Sequence, residues 1–276
     1  MDTALEELAR DVCRDLLQRS RLSEDAMGVS WKGADDPVTM ADKAAHAMVA
    51  QALPQLSPGV PLVSEEDEPR EFSGDSFWSL DPVDGTREFM EHLGEWAFQL
   101  ALVRHGLPVL AALGIPSRDV LYIARAGAGC RMGRLSRPGL DEFRPLPPER
   151  RERLVLTRSM PRRPALAALV QAHPAPDHIL LGGVGYKVHA LLSGEGDTYF
   201  AQQGTLHAWD LAAPLLVAQE AGLSAVAMDG SALTIPSHRE GLSQGVLFTR
   251  PALLASNLSF FALPSTTELL TRRDPR

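Results

Sequence analysis

Two cysteines in 276 residues, Cys13 and Cys130, are too few and too far apart for a ligand pattern or a disulfide framework. They read as reduced thiols. Basic residues are also in deficit. The 27 Lys and Arg stand against 35 Asp and Glu, giving a net charge of -8 and a pI near 5.5. That balance disfavours a nucleic-acid polymer or an anionic membrane as the main partner. No run approaches the roughly 18 apolar residues that a membrane span needs. The start Met1-Asp2-Thr3 is acidic and the stretch after it amphipathic, so no secretory signal is expected and the chain reads as soluble and cytoplasmic. Internal repeats and low-complexity tracts are missing as well. What is present is ordinary globular material, 45% hydrophobic and 22% charged, enough for one large domain or two closely packed halves.

The chemistry concentrates in Trp78-Ser79-Leu80-Asp81-Pro82-Val83-Asp84-Gly85-Thr86-Arg87-Glu88-Phe89. A β-prone run ends in two carboxylates three residues apart, followed at once by Gly-Thr. Pro82 restricts φ, and Gly85 permits backbone geometry that a side chain forbids. Asp81, Asp84 and the Val83 carbonyl can then turn toward one point at a strand end, a set of hard oxygens suited to Mg2+. The N–H groups of Gly85 and Thr86, at a helix start, could hold a phosphate beside such an ion. Taken alone, the same residues also make an ordinary surface Asp-Pro-x-Asp-Gly turn.

Leu5, Leu8, Ala9, Val12 and Leu16 predict a helix over residues 3–19, with Thr3 and Glu6 as a capping box. Thr39 caps a second helix that Pro54 ends. Asp42 lies three residues past that cap, either favoured there by the helix dipole or facing the carboxylates as an acceptor. A strand over 60–63 runs into Ser64-Glu65-Glu66-Asp67-Glu68. Glu65, held at the strand's end, is the candidate extra ligand, while residues 67–76 read as a mobile flap. Residues 96–103, 108–115 and 119–124, with turns at Gly106, Pro116 and 127–129, predict an antiparallel sheet. Residues 133–153 read as a boundary loop with Arg150, Arg151 and Arg153 on its solvated surface.

Beyond that loop, strands at 154–157, 179–181, 197–201, 224–228 and 245–249 alternate with helices at 164–172, 186–192 and after Trp209-Asp210. This is the pattern of a layered sheet with helices, Pro214 being tolerable near the first turn of the last helix. Gly182-Gly183-Val184-Gly185 before a helix is either a plain turn or a phosphate cradle to which Lys187 adds charge. Asp210 by itself is an N-cap. His46, His92, His105, His189 and His207 show no ligand spacing.

Taken together, Asp36-Pro37-Val38-Thr39-x-Ala41-Asp42, Ser64-Glu65-Glu66, Asp81-Pro82-Val83-Asp84-Gly85-Thr86 and Trp209-Asp210-Leu211-Ala212-Ala213 occur in an informative order. They resemble the signature elements of the Mg2+-dependent, lithium-sensitive phosphatases related to inositol monophosphatase, over roughly residues 3 to 250. Within that superfamily the chain is most similar to the 3'(2'),5'-bisphosphate nucleotidases. Arg87-Glu88-Phe89 matches their Gly-Thr-Lys/Arg-Glu-Phe/Tyr pattern, and Thr157-Arg158-Ser159 and Gly182–Lys187 look like their substrate-side segments. Met160 departs from the pattern, standing where those enzymes usually place His.

The resemblance implies an α/β fold, an α-β-α-β-α sandwich of the inositol monophosphatase and fructose-1,6-bisphosphatase type. Residues 1–150 would form an N-terminal α+β half with the antiparallel sheet and most metal ligands. Residues 151–276 would form a C-terminal α/β half with the substrate segments and Asp210. Two Mg2+ ions are implied, a third being left open: Glu65, Asp81 and the Val83 carbonyl on the first, and Asp81, Asp84 and Asp210 on the second. Thr86, hydrogen-bonded to Asp42, is implied as the relay that deprotonates a water. Gly85, Thr86, Thr157, Gly183 and Lys187 are implied as substrate contacts, the last two toward a 5'-phosphate. The expected reaction removes the 3'-phosphate of 3'-phosphoadenosine 5'-phosphate, so the partner is a small phosphorylated molecule; the oligomeric state is not legible. The alternatives are an inositol-phosphate or sugar-bisphosphate phosphatase of the same superfamily, or a non-catalytic nucleotide-binding relative. The last would be expected to lack a carboxylate or Thr86, and none is missing.

Overall fold

A computed structural model describes residues 1–33, 36–67, 74–145, 152–175, 177–236 and 242–271. Its elements in the first half are α1 (Asp2–Arg19), α2 (Glu24–Met27), β1 (Ser30–Gly33), β2 (Asp36–Val38), α3 (Met40–Leu56), β3 (Leu62–Ser64), β4 (Ser76–Asp84), α4 (Thr86–Met90), β5 (Ala97–Arg104), β6 (Leu107–Ile115), β7 (Val120–Arg125), β8 (Gly129–Arg134) and β9 (Asp141–Glu142). Then follow β10 (Arg153–Thr157), α5 (Pro164–Ala172), β11 (Asp177–Leu181), α6 (Val184–Leu192), β12 (Thr198–Ala201), α7 (Ala208–Ala221), β13 (Ser224–Ala227), β14 (Val246–Thr249), α8 (Leu254–Phe261) and α9 (Pro264–Thr271).

Strands β3 to β9 form one sheet in sequence order, antiparallel throughout except for the parallel β3–β4 pair. A second sheet has the order β11-β10-β12-β14-β13, with β11, β10 and β12 parallel and β14 antiparallel to both neighbours. Alternation along the strands sorts the side chains into layers. Trp78, Leu80, Phe98 and Leu100 face outward onto Leu5, Val12 and Leu16 of α1 and Ala45 and Val49 of α3. Phe77, Ala101 and Leu113 face inward onto Val188 of α6 and Leu211 and Leu215 of α7, which lie between the sheets. Leu154, Leu156, Phe200 and Leu247 cover the far face of the second sheet with Leu166 and Leu169 of α5 and Phe260 and Phe261 of α8. The result is the expected α-β-α-β-α sandwich.

Strand β4 decides where the chemistry sits. Every residue after Ser76 is buried, as befits a strand covered on both faces. Two residues three apart in a regular strand point to opposite faces. Here the pairing of β4 with β5 is irregular between Asp81 and Asp84, where Pro82 has no N–H to give the ladder. That interruption releases the alternation, and both carboxylates reach one place.

Several local expectations need correction. Helix α1 starts at Asp2 with Met1 as an uncapped N-cap, so Thr3 and Glu6 form no capping box. Asp2 instead pairs with Arg125 of β7, and Glu6 with Arg10 at 2.8 Å. Pro54 lies inside the last turn of α3, which runs on to Leu56, and Pro214 is well inside α7 rather than near its first turn. A proline in the last turn forfeits one hydrogen bond without stopping the residues after it. Strands β8 and β9 overlap the stretch expected to be a loop. The buried Arg10 guanidinium donates to the carbonyls of Arg134, Arg137 and Gly139 and fixes that segment. Helices α8 and α9 were not expected. Residues 68–73 of the anticipated flap, with Arg150 and Arg151, lie outside the described residues. Cys13 and Cys130 are free and buried, and burial pushes the Cys130 thiol up to about 12. Among the described residues no helix is long and apolar enough to cross a membrane.

Candidate active site

Asp81 and Asp84, from the end of β4, meet Asp210, from the first turn of α7, between the two sheets. Carboxylate oxygens of the three lie within 4.8 Å of one another. Each side chain is held by its own element. Both oxygens of Asp84 accept backbone N–H groups at the start of α6, from Val184 at 2.9 Å and Gly185 at 2.6 Å. Asp210 Oδ2 accepts the N–H of His207, the N-cap of α7, at 2.6 Å. Glu65 follows β3 directly, its N–H donating to the Leu80 carbonyl at 3.1 Å, and its side chain stands beside Asp81. The Val83 carbonyl accepts the Thr86 hydroxyl at 3.0 Å, which leaves one of its two lone pairs.

Such crowding favours protonation unless a cation intervenes. Burial first, and then the charges of Glu65, Asp84 and Asp210, push Asp81 well above the usual carboxylate range. Burial and Asp84 push Asp210 up to about 7. Burial also raises Asp84, against the opposing pull of Lys187 and the N–H groups of α6. Asp81 Oδ1 is buried and meets no hydrogen-bond donor among the described residues. An orphaned carboxylate oxygen within a set of hard oxygen donors fits a divalent ion such as Mg2+.

Asp42 stands on the opposite side of Thr86. Its Oδ2 accepts the Thr39 N–H at 2.8 Å and the Thr39 hydroxyl at 2.6 Å, closing the capping box of α3. Its Oδ1 lies 3.4 Å from Thr86 Oγ1. Burial outweighs the Thr39 hydrogen bonds and raises the carboxyl to about 6. The carboxylate that closes the cap of α3 thus also lies within reach of the Thr86 hydroxyl.

The Gly182–Gly185 run was expected either to turn or to cradle a phosphate. Its N–H groups are already engaged: Gly182 and Gly183 donate to the side chain and carbonyl of Glu95, Val184 and Gly185 to Asp84. The backbone cradle is thereby corrected, because every donor it would need has a protein acceptor. The glycines instead let α6 approach β4 and β5. A β-carbon at Gly183 would lie 2.5 Å from both the carbonyl oxygen and Oδ2 of Asp84, and one at Gly185 would lie 2.8 Å from the Ala97 β-carbon. Lys187 is buried. Its ammonium donates to the Gly182 carbonyl and sits 5.3 Å from the centre of the Tyr199 ring, and burial lowers its pKa against the pull of Asp84, Glu88 and Asp210.

A cavity of about 740 Å3 opens beside the carboxylates, and Asp84, Gly85, Thr157, Gly183, Lys187 and Tyr199 all line it. The left-handed Gly85 (φ 92°) turns β4 into α4 at its rim. Thr157 Oγ1 lies 3.1 Å from the Ser159 hydroxyl. Arg87, Arg162 and Arg163 also line the cavity, and the last two were missed from sequence. Nothing in a Pro-Arg-Arg-Pro stretch marks it as a lining; only the short turn over Met160–Arg162 carries it there. Met160 packs into the core with Leu166 and Phe200.

The five-layer sandwich is shared with known structures. The extragenic suppressor protein suhB of Bartonella henselae has a TM-score of 0.78 at 19% identity, over 95% of this chain and 98% of that one. Residues 1–258 match the Inositol monophosphatase family, and the chain belongs to it. It is 31% identical over 219 residues to the 3'-phosphoadenosine 5'-phosphate phosphatase of Mycobacterium tuberculosis, covering 73% of this chain and 74% of that protein. It is 40% identical over 104 residues to the 3'(2'),5'-bisphosphate nucleotidase CysQ of Escherichia coli. That match takes in 37% of this chain and spans 42% of the relative's length.

Proposed function

We propose that the protein is a Mg2+-dependent phosphomonoesterase that removes the 3'-phosphate of 3'-phosphoadenosine 5'-phosphate. The observation that carries the reading is the convergence of Asp81, Asp84 and Asp210 at the edge of a cavity lined by three arginines. The names of the E. coli and M. tuberculosis relatives support this substrate over an inositol phosphate. In this reading Glu65, Asp81, Asp84, Asp210 and the Val83 carbonyl hold the metal. Bound there, Mg2+ supplies positive charge to phosphoryl oxygens and acidifies water.

The chain's own residues do the rest. Thr86 Oγ1 takes a proton from the attacking water while giving its own to Asp42 Oδ1, whose raised pKa suits it to hold that proton near neutral pH. The N–H groups of Gly85 and Thr86, at the start of α4, have no intrahelical acceptor and can donate to phosphoryl oxygens. Lys187 stands beside Asp84 and Asp210, whose carboxylates oppose the lowering of its pKa by burial. Thr157, Arg162 and Arg163 line the same cavity as Asp84, and the two guanidinium groups suit a second phosphate, which a monophosphate lacks. As in other phosphoryl transfers, positioning and charge carry most of the acceleration.

Phosphate release from 3'-phosphoadenosine 5'-phosphate, an inositol monophosphate and a sugar bisphosphate, compared in Mg2+, tests the reading. The nucleotide should have the highest kcat/KM. An equal or higher value for either of the others overturns the assignment.

A further inference from the structure

Strand β5 carries one side chain that the fold alone does not explain. Gln99 lies in register with Asp81 across the β4–β5 ladder, on the inward face it shares with Ala97, Ala101 and Val103. That face is otherwise apolar and packs on α6 and α7. Gln99 is fully buried, and neither atom of its amide closes a hydrogen bond with any described group. Leaving a buried amide without partners is costly, and such exceptions in folded proteins call for a reason. Leucine or methionine would fill the same space without that penalty.

The surroundings supply the reason. The amide faces the Asp84 carboxylate near enough to favour its charged form, while standing short of a closed hydrogen bond. Its Nε2 lies against the second residue of α6, since a β-carbon on Gly185 would come within 3.2 Å of it. Gly185 and Val184 donate to the two Asp84 oxygens from that same end of α6. The amide is therefore the one neutral side-chain donor placed under the carboxylate cluster among these inward-facing residues of β5. A neutral donor can steer a carboxylate without adding charge to the site, and partners of this kind orient metal-binding side chains.

We propose that Gln99 is a positioning residue, its side-chain amide aiming the Asp84 carboxylate at the cation site from the adjacent strand. The inference rests on reading the cluster as a cation site.

Gln99→Met keeps length and volume while removing both polar atoms, and Gln99→Leu does so with a different shape. Two readouts separate a positioning role from a structural one: the Mg2+ dissociation constant by calorimetry, and the melting temperature in chelator. Both variants should melt at or above the parent temperature in chelator, having lost an unpartnered amide. Both should bind Mg2+ about tenfold or more weakly, in the range seen when second partners of metal-binding side chains are removed. KM for the phosphorylated nucleotide at saturating Mg2+ should stay near the parent value. An unchanged Mg2+ dissociation constant overturns the proposal. So does a variant that melts well below the parent in chelator, because the amide would then belong to the metal-free architecture. Failure of the parent protein itself to bind Mg2+ would instead remove the cation site on which the proposal rests.

Discussion

Gly183→Ala tests whether the two sheets are locked together through the candidate site. Gly183 has φ -53° and ψ 157°, a conformation alanine adopts freely, so backbone strain contributes nothing. The effect is purely steric. The new β-carbon would lie 2.5 Å from the Asp84 carbonyl oxygen, 2.5 Å from its Oδ2 and 2.7 Å from its Cγ, where real β-carbons keep at least 3.0 Å. Asp84 and α6 must separate by about half an ångström. The obstructing atoms cannot simply swing aside, since one is backbone and the carboxylate is tied to Val184 and Gly185. Overpacking of this kind costs about 1–3 kcal/mol. At about 2–4 °C per kcal/mol for a chain of this size, the melting temperature should fall by about 2–12 °C. Displacing Asp84 should cost more in activity than in stability, about 100-fold in kcat/KM, as misplacements approaching an ångström do. Scanning fluorimetry and phosphate release across a Mg2+ series measure both. A variant with parental melting temperature refutes the packing argument. One that melts lower yet keeps parental kcat/KM refutes the link between that packing and the chemistry.

Other consequences can be checked separately. Asp84→Asn keeps the size of the side chain but turns an N–H group toward one of the α6 donors; turnover in Mg2+ should drop by more than about 100-fold in a folded variant, and near-normal kcat would remove Asp84 from the site. Arg162→Ala with Arg163→Ala should raise KM for 3'-phosphoadenosine 5'-phosphate with little change in kcat if these cavity-lining groups hold the second phosphate; a collapse of kcat at constant KM contradicts that role. Asp42, near 6, and Asp210, near 7, have folded pKa values above their unfolded ones, so their contribution to metal-free stability is complete below about 3.8 and is lost as pH rises through 6 to 7. Mg2+ competes with the Asp210 proton, and the rise in melting temperature it causes should grow from pH 5 to pH 8; a larger rise at pH 5 speaks against metal binding at this cluster. His189 behaves oppositely: burial lowers its pKa to about 4 from an unfolded value near 6.5, so its stabilising contribution is present above 6.5 and lost as pH falls toward 4. Urea unfolding of His189→Gln should lack about 2 kcal/mol of the parent's destabilisation between pH 8 and pH 5, and identical pH profiles would show that His189 carries no such effect.

What could be read in advance, and what could not, divides along a physical line. Asp42 and Asp210 were visible because each follows a helix start by a fixed number of residues, and capping chemistry is local. The strands β5, β6 and β7 were visible because their apolar runs are bounded by turn residues. Helices α8 and α9 are only eight residues each, and α8 carries no side-chain cap to announce it. For Gln99, period-two reading of β5 puts it on the face of Ala97 and Ala101 but cannot say that Asp81 stands across the ladder; register alone does that. Arg162 and Arg163 look like any solvated basic pair until a turn brings them to the cavity.

The glycine run is the sharpest case. A strand, several glycines and a helix offer N–H groups to whatever acceptor is nearest, and an anion would serve as well as a carboxylate. Asp84 takes two of those donors because the break in pairing at Pro82 delivers it there from a hundred residues away in the chain. The same motif in a chain without that break would leave Val184 and Gly185 open to phosphate. The proline in β4 thus decides both where the second carboxylate points and what the start of α6 can bind, which is why neither segment can be interpreted without the other.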